Sequence, residues 1–410
     1  MSAVYDVIVV GARCAGSPTA MLFSRAGYRV LLVDKANFPA DTLSTLYIQQ
    51  PGVARLARWG LLDAVKASGC PPLDHVVYEL GDVRVEGCSS GIDGIREAYA
   101  PRRSVLDPIL ADGAVAAGAE FRPGHEFTGL LYDDDHRVVG VRLRGPGGTA
   151  STERARLVVG ADGMRSAVAL QCGAQTTVEH EKLTCAYYTL WQGPKTFFEM
   201  YEGPTGWVSA VPTNGGAVLI AAYYPQNRFD EVRHDALAWY MDNVRTNAPA
   251  LWAQVERSLQ VERLFGTGDQ RNYFRQASGP GWVLVGDAGH HKDSLSARGI
   301  GDAFMQAQLL VDSVGDGLQD PARLDAALEE FGQERDRLLT DTYNATRLVA
   351  RADARDKRRA LLAAVRTSDD LTRRYFDTVA GILPLQGLYT ADLLAAMATQ
   401  QAAEPATVAG

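Results

Sequence analysis

The chain has 410 residues, 46% hydrophobic and 22% charged, with a formal net charge of -8. That is the make-up of an ordinary globular enzyme with room for two or three domains, and its charge excludes a general attraction to nucleic acid phosphates or anionic membranes. No apolar run reaches the length of a membrane span and no basic-then-apolar leader opens the chain, so a cytoplasmic protein is expected. Cys14, Cys70, Cys88, Cys172 and Cys185 are scattered without a CxxC pair, which predicts reduced thiols and no metal site.

Residues 5–34 read as strand, glycine turn, helix and parallel strand. An apolar, β-branched run stops at Gly11, small residues line one side of a helix from Ala15, and a second apolar run ends at Asp34. This is the order of a dinucleotide-binding βαβ unit. Gly11 permits the tight turn, the free amides at the helix start can bind a pyrophosphate with the helix dipole behind them, and Gly16 lets helix and strand approach. Asp34, 23 positions after Gly11, can accept hydrogen bonds from a ribose. Arg13 stands where the GxGxxG pattern has its middle glycine.

A polar loop at 41–50 either lines a pocket or is a solvated connection. After the Pro51-Gly52 breaker, residues 53–65 have the spacing of an amphipathic helix. Residues 71–101 alternate like strands of another sheet, Arg103 opens a helix, and a β-meander over 127–159 returns to the first sheet. Asp162-Gly163 then follow an apolar strand. From 174 to 265 the segments are strand-like and rich in aromatics, with a helix near residues 235–243; a sheet facing a ligand cavity explains this, and so does an aromatic core. Another apolar strand ends at Gly286-Asp287, and Gly299-Ile300-Gly301 open a helix. Residues 321–365 are helical and charged.

The ordered set of Gly11 to Gly16 with Asp34, Asp162-Gly163 and Gly286-Asp287 resembles the flavoprotein monooxygenases of the para-hydroxybenzoate hydroxylase type, over roughly the first 320 residues. The resemblance implies an α/β fold: a Rossmann-like FAD-binding domain (1–70, 102–173, 269–320) interleaved with an antiparallel β-sheet substrate domain (71–101, 174–268), then a helical C-terminal region (321–399) and a disordered tail (400–410). It implies non-covalent FAD held by the Gly11–Gly16 loop, Asp34, Lys35, Arg103 of an RxxLD helix start, Asp162 of DGxxS, Gly286 and Asp287. The helix opened by Gly299, Ile300 and Gly301 would aim its dipole at the flavin N1 and O2 region. NAD(P)H would bind transiently, since no second fingerprint is present. A flavin C4a-hydroperoxide would then oxygenate an aromatic or polyketide-like small molecule.

The chain departs from that pattern: Ser294 replaces a proline, Ala297 a glycine and Arg298 a glutamine, and Ala169 stands where an arginine often closes the DG motif. Halogenases of this fold carry WxWxIP, of which residues 207–212 keep only Trp207 and Pro212, and geranylgeranyl reductase-like enzymes match the same stretch in part. Both remain alternatives, with a non-catalytic flavin protein behind them. Among local candidates, His291 suits a general base or a packing role. Tyr47, Tyr188, Met200 and Trp207 line a substrate pocket or an ordinary core, and Tyr187 and Tyr201 are further stacking surfaces on the same strands.

Overall fold

Apolar β-branched runs separated by glycine turns and helical segments build the first layer: β1 (Tyr5–Val10), α1 (Gly16–Arg25), β2 (Val30–Asp34), α2 (Gln50–Arg58) and α3 (Leu62–Ala67). The structure is a computed structural model and describes residues 5–42 and 44–403. A hairpin of β3 (Val76–Leu80) and β4 (Val83–Gly87) precedes α4 (Arg103–Ala116) and β5 (Glu120–Pro123). The meander β6 (Glu126–Tyr132), β7 (Val138–Arg144) and β8 (Ala150–Gly160) ends at α5 (Ala167–Gln171). Next come β9 (Thr176–His180), β10 (Thr184–Gln192), β11 (Phe198–Glu202), β12 (Trp207–Pro212) and β13 (Ala217–Pro225). Helices α6 (Phe229–His234), α7 (Ala236–Asn247) and α8 (Pro249–Val255) lead to short strands β14 (Leu259–Gln260), β15 (Phe265–Thr267) and β16 (Asn272–Arg275). Strands β17 (Ser278–Gly279), β18 (Trp282–Leu284) and β19 (His290–His291) precede α9 (Gly299–Val314) and α10 (Pro321–Val349). The chain closes with α11 (Arg355–Val365), α12 (Asp369–Ala380), α13 (Leu385–Leu388) and α14 (Ala391–Ala403).

The first sheet runs β17-β18-β8-β1-β2-β5, parallel from β18 onward. Its central strands are continuous apolar runs because both faces are covered. On one side Val7, Val9 and Leu32 pack with Phe23, Leu106 and Phe304 of the helices, and on the other Ile8, Leu31 and Val158 pack with the meander. The helix read over residues 53–65 is two helices, since Gly60 takes a left-handed φ of 73° between them. Pro51 does not break the chain; it sits in the first turn of α2, where no amide donor is missed. The tail expected from residue 400 begins inside α14, and residues 404–410 lie outside the described residues.

The second sheet runs β14-β10-β13-β12-β11-β3-β4. It is antiparallel except where β3 joins β11. Period-two alternation sorts its aromatics onto two faces. Tyr187, Tyr201 and Tyr224 pack under α7 and α8 with Tyr240 and Leu251, so Tyr187 and Tyr201 are core residues and not part of the opposite surface. On that opposite face Tyr188, Ala221, Ser209, Met200 and Tyr78 stand in one cross-strand row. The neighbouring rows pack Trp207 and Tyr223 against Leu295, and Val211 and Leu219 against Ala297, both in the loop that precedes α9. The β3–β4 end is covered by α11, α12 and α14. Among the described residues, no helix is long and apolar enough to cross a membrane.

Candidate active site

A cavity of about 510 Å³ opens at the carboxyl ends of β1, β2 and β8, where a doubly wound sheet meets its ligands. It gathers Gly11, Arg13, Cys14, Ala15, Asp34 and Lys35 from the first βαβ unit and Arg103 from α4. Asp162 and Asp287 line it from the two later strand ends, joined by His291, Gly299 and Ile300. Thr42, Ser44 and Thr45 show that the 41–50 loop faces it as well. Ala12, Gly16, Gly286 and Gly301 shape the wall without lining it.

The glycine positions follow from close approach. A Cβ on Gly11, at φ 102°, would meet the Ala161 carbonyl oxygen at 2.4 Å, and one on Gly16 would lie 1.7 Å from the Gly11 carbonyl oxygen. Asp34 accepts from the Ala12 amide at 2.8 Å and the Ala36 amide at 2.8 Å. The Ala12 amide is thereby spent inside the loop, while Ala12 itself stays within the stretch expected to bind the cofactor.

Asp107, fully buried, ties the fingerprint loop to α4. It accepts from Arg13 Nη1 at 2.6 Å and Arg103 Nε at 2.9 Å, and the Cys14 thiol lies 3.6 Å away. Burial pushes the Cys14 thiol up to about 12, so it is an inert packing group. Asp107 is the last letter of RxxLD, so its signal lay in the motif even though only Arg103 was singled out.

Asp162 caps α5, accepting from Ser166 Oγ at 2.5 Å and the Ala167 amide at 2.7 Å, and burial raises its pKa. Gly286, at φ 60°, brings its loop against Ala15, whose Cβ would lie 2.7 Å from a Cβ at that position. The Asp287 carboxylate makes no hydrogen bond among the described residues, whereas its backbone oxygen accepts from Tyr273. His291 Nδ1 bonds the Arg271 carbonyl. A carbonyl only accepts, so Nδ1 carries the proton and Nε2 of the neutral ring is the basic nitrogen.

His290 is buried against Phe274, and its pKa falls well below 6.5 through burial first and then Lys292, Arg335 and His291. The unfolded chain therefore takes up a proton near pH 6.5 that the folded chain refuses, and this stability is present above that pH and lost below it. Replacing His290 by Asn should flatten the acid side of the stability curve by up to ~1.4 kcal/mol per pH unit below 6.5. Urea midpoints of both proteins at pH 7.5 and 5.5 measure it; parallel losses in the two would refute it.

None of Tyr47, Tyr188, Met200 and Trp207 lines this cavity. Tyr47 is buried and stacks on Phe198 at 4.1 Å, and Trp207 is buried with its Nε1 unpartnered among the described residues. Tyr188, stacked on Phe265 at 5.8 Å, and Met200 are partly buried and bridge the two apolar clusters between sheet and loop. Among the described residues no group of three or more His, Cys, Asp or Glu could hold a metal ion.

Residues 4–351 match the family described as FAD binding domain. The chain is 29% identical over 313 residues to a digeranylgeranylglycerophospholipid reductase of Methanosarcina mazei, covering 74% of each. Its fold is similar to that of the flavin-dependent brominase Bmp2, with a TM-score of 0.81 at 18% identity over 98% of both chains. It is also similar to pqsL, a probable FAD-dependent monooxygenase from Pseudomonas aeruginosa, with a TM-score of 0.71 at 19% identity over 85% of this chain and 96% of that one. Reductase, halogenase and monooxygenase thus share this scaffold.

Proposed function

The chain belongs to the FAD binding domain family, and from that premise we propose that it is a monooxygenase which uses NAD(P)H and O2 to oxygenate an aromatic or polyketide-like small molecule. The protein binds FAD, and the residues present fit that group. Gly11 and Gly16 let the loop close tightly beside the cavity, an added Cβ on Gly299 or Gly301 would meet only open space, and the Asp287 carboxylate on the cavity wall makes no hydrogen bond among the described residues. Arg13, Cys14, Ala15 and Gly16 would hold the pyrophosphate side, Asp34 and Lys35 the adenosine side, and Arg103, Asp162, Asp287 and the Gly299–Gly301 turn the remainder. Reduced by a nicotinamide, FAD supplies the electrons that activate O2.

One observation carries the oxygenase reading. The row Tyr188, Ala221, Ser209, Met200 sets two small side chains between an aromatic and a thioether, on the face that packs against the loop before α9. Ser209 stands where a halogenase has its second tryptophan, so the side chain at that point is small, and the aromatic side chains beside it suit a flat ring. His291, with Nε2 as its basic nitrogen, is the proton acceptor on the cavity wall, and a base of this kind contributes ~100-fold or more.

Turnover under 18O2 should place one labelled atom in the product, and His291→Gln should lower kcat at least tenfold with FAD retained. A product without label, formed equally well without oxygen and carrying one fewer double bond, would replace this reading by a reductase, the activity named for the Methanosarcina mazei relative.

A further inference from the structure

A chain of polar side chains ties the loop before α9 to the second sheet and ends on the cavity wall at Ser294. Asp293, 1% exposed, accepts from Thr184 Oγ1 at 2.8 Å, so that hydroxyl has its proton committed. Gln270, 2% exposed, therefore donates through Nε2 to Thr184 Oγ1 at 2.7 Å and turns Oε1 toward Ser294. The Ser294 amide can only donate, and it meets that Oε1 at 3.1 Å, which fixes the same orientation independently.

The Ser294 hydroxyl is left with one arrangement. Gln270 Oε1 only accepts, so Ser294 Oγ gives its proton to Gln270. Tyr223 Oη lies 3.2 Å from the same Oγ and must then be the donor of that bond. Tyr223 is buried in the cross-strand row next to that of Ala221 and Ser209, on the face turned to the loop. Of the two lone pairs on Ser294 Oγ, the phenol takes one, and among the described residues nothing donates to the other. The proline that Ser294 replaces has neither the amide proton nor the hydroxyl.

We infer that Ser294 Oγ is a hydrogen-bond acceptor for the substrate, so that the site selects an aromatic ring bearing an N–H or O–H donor over a ring of the same shape with an ether or carbonyl oxygen in that place. Tyr223 and Gln270 are positioning residues, which hold the hydroxyl in this direction without reaching the ligand themselves. A ligand oxygen without a proton would face the remaining lone pair, and turning the hydroxyl round to meet it would take from Gln270 a bond that burial makes costly to lose. The inference deepens the reading above and rests on it, since it takes the ring to lie where the sheet face meets the loop.

The test is titration of the oxidised holoenzyme with indole and benzofuran, and with carbazole and dibenzofuran, followed by the change in flavin absorbance. Each pair has one shape and differs in N–H against ring oxygen. The parent should bind the N–H member of each pair about tenfold more tightly. Ser294→Ala should reduce that preference to about twofold or less with FAD retained, and Ser294→Thr should restore it. In Gln270→Met the Ser294 proton is released to the cavity, so the preference should shrink although the hydroxyl remains. A merely structural role would weaken both members alike and leave their ratio alone. Equal affinity within both pairs in the parent, no binding of either pair, or an undiminished preference in Ser294→Ala or in a folded Gln270→Met overturns the inference. If Gln270→Met does not fold, the two Ser294 variants decide on the same criterion. The titration needs neither NAD(P)H nor oxygen, so the two failures are distinct. An unlabelled product in the 18O2 experiment with the preference kept sinks the oxygenase reading only, and a labelled product with the preference absent sinks this inference only.

Discussion

Asp107→Ala is expected to cost the folded chain about 3–5 kcal/mol and to leave a protein that purifies without its yellow cofactor. The carboxylate is fully buried and balances Arg13 and Arg103, the second of which is itself only 8% exposed. Removing one partner of a buried ion pair strands the other charges in a low-dielectric site, and that stranded charge is the larger part of the loss. The effect reaches FAD because Arg13 belongs to the fingerprint loop and Arg103 to α4, and both line the cavity, so Asp107 fixes the loop against that helix. Urea unfolding monitored by tryptophan emission, with the 450 nm absorbance of the purified protein, measures both halves. An exposed control such as Lys357→Ala should alter neither. A protein with unchanged midpoint and full flavin content would show that the two arginines find other partners.

What could be read from the sequence, and what could not, divides by the range of the interactions. The βαβ unit was legible because its signals are local: an apolar run, a turn that only glycine satisfies, and an acidic residue at the end of the next strand. The same holds for the helix at Arg103, the meander and the strand ending at Gly286, each carried by its own periodicity. The order of the motifs brought most of the expected cofactor residues onto one cavity, since strand ends of a parallel sheet converge there.

Asp107 and Gln270 escaped notice for the opposite reason. Their meaning lies in partners elsewhere in the chain: Arg13 for the first, Thr184 and Ser294 for the second. The sheet face was ambiguous in a different way. Alternation shows that neighbouring residues point to opposite sides, but which side meets the loop before α9 depends on strand register, and register is set by tertiary packing. Tyr188 and Met200 therefore fell on the face turned to that loop, while Tyr187 and Tyr201, one residue away from each, fell under α7 and α8. The break at Gly60 and the placement of Pro51 were also invisible to periodicity, because a left-handed residue between two in-phase helices leaves the apolar spacing intact.

The second large effect is expected far from the cavity, at Glu202. This carboxylate is 3% exposed at the end of β11, accepts from Tyr78 Oη at 2.8 Å, and pairs with Arg358 of α11. The pair is the polar centre of an otherwise apolar contact in which Leu80, Val83 and Val85 of the sheet meet Leu362, Leu371 and Phe376 of the C-terminal helices. Glu202→Ala leaves the Tyr78 phenol without its acceptor and the Arg358 cation without a counter-charge, bonded only to the Leu348 and Arg351 carbonyls, and should cost about 3–5 kcal/mol. The double change Glu202→Met with Arg358→Met removes both charges, so it should recover most of the loss, because a buried pair contributes little over packed apolar side chains. The cost in the single variant should fall on the helical region first, since the first sheet and its FAD cavity share no side chain with this cluster. Limited proteolysis should then cut Glu202→Ala within residues 350–400 at a protease concentration that leaves the parent and the double variant whole, with flavin absorbance retained in all three. Cleavage spread evenly through the chain, or flavin lost in step with it, would mean that the C-terminal helices and the FAD cavity unfold as one unit and that Glu202 secures the whole.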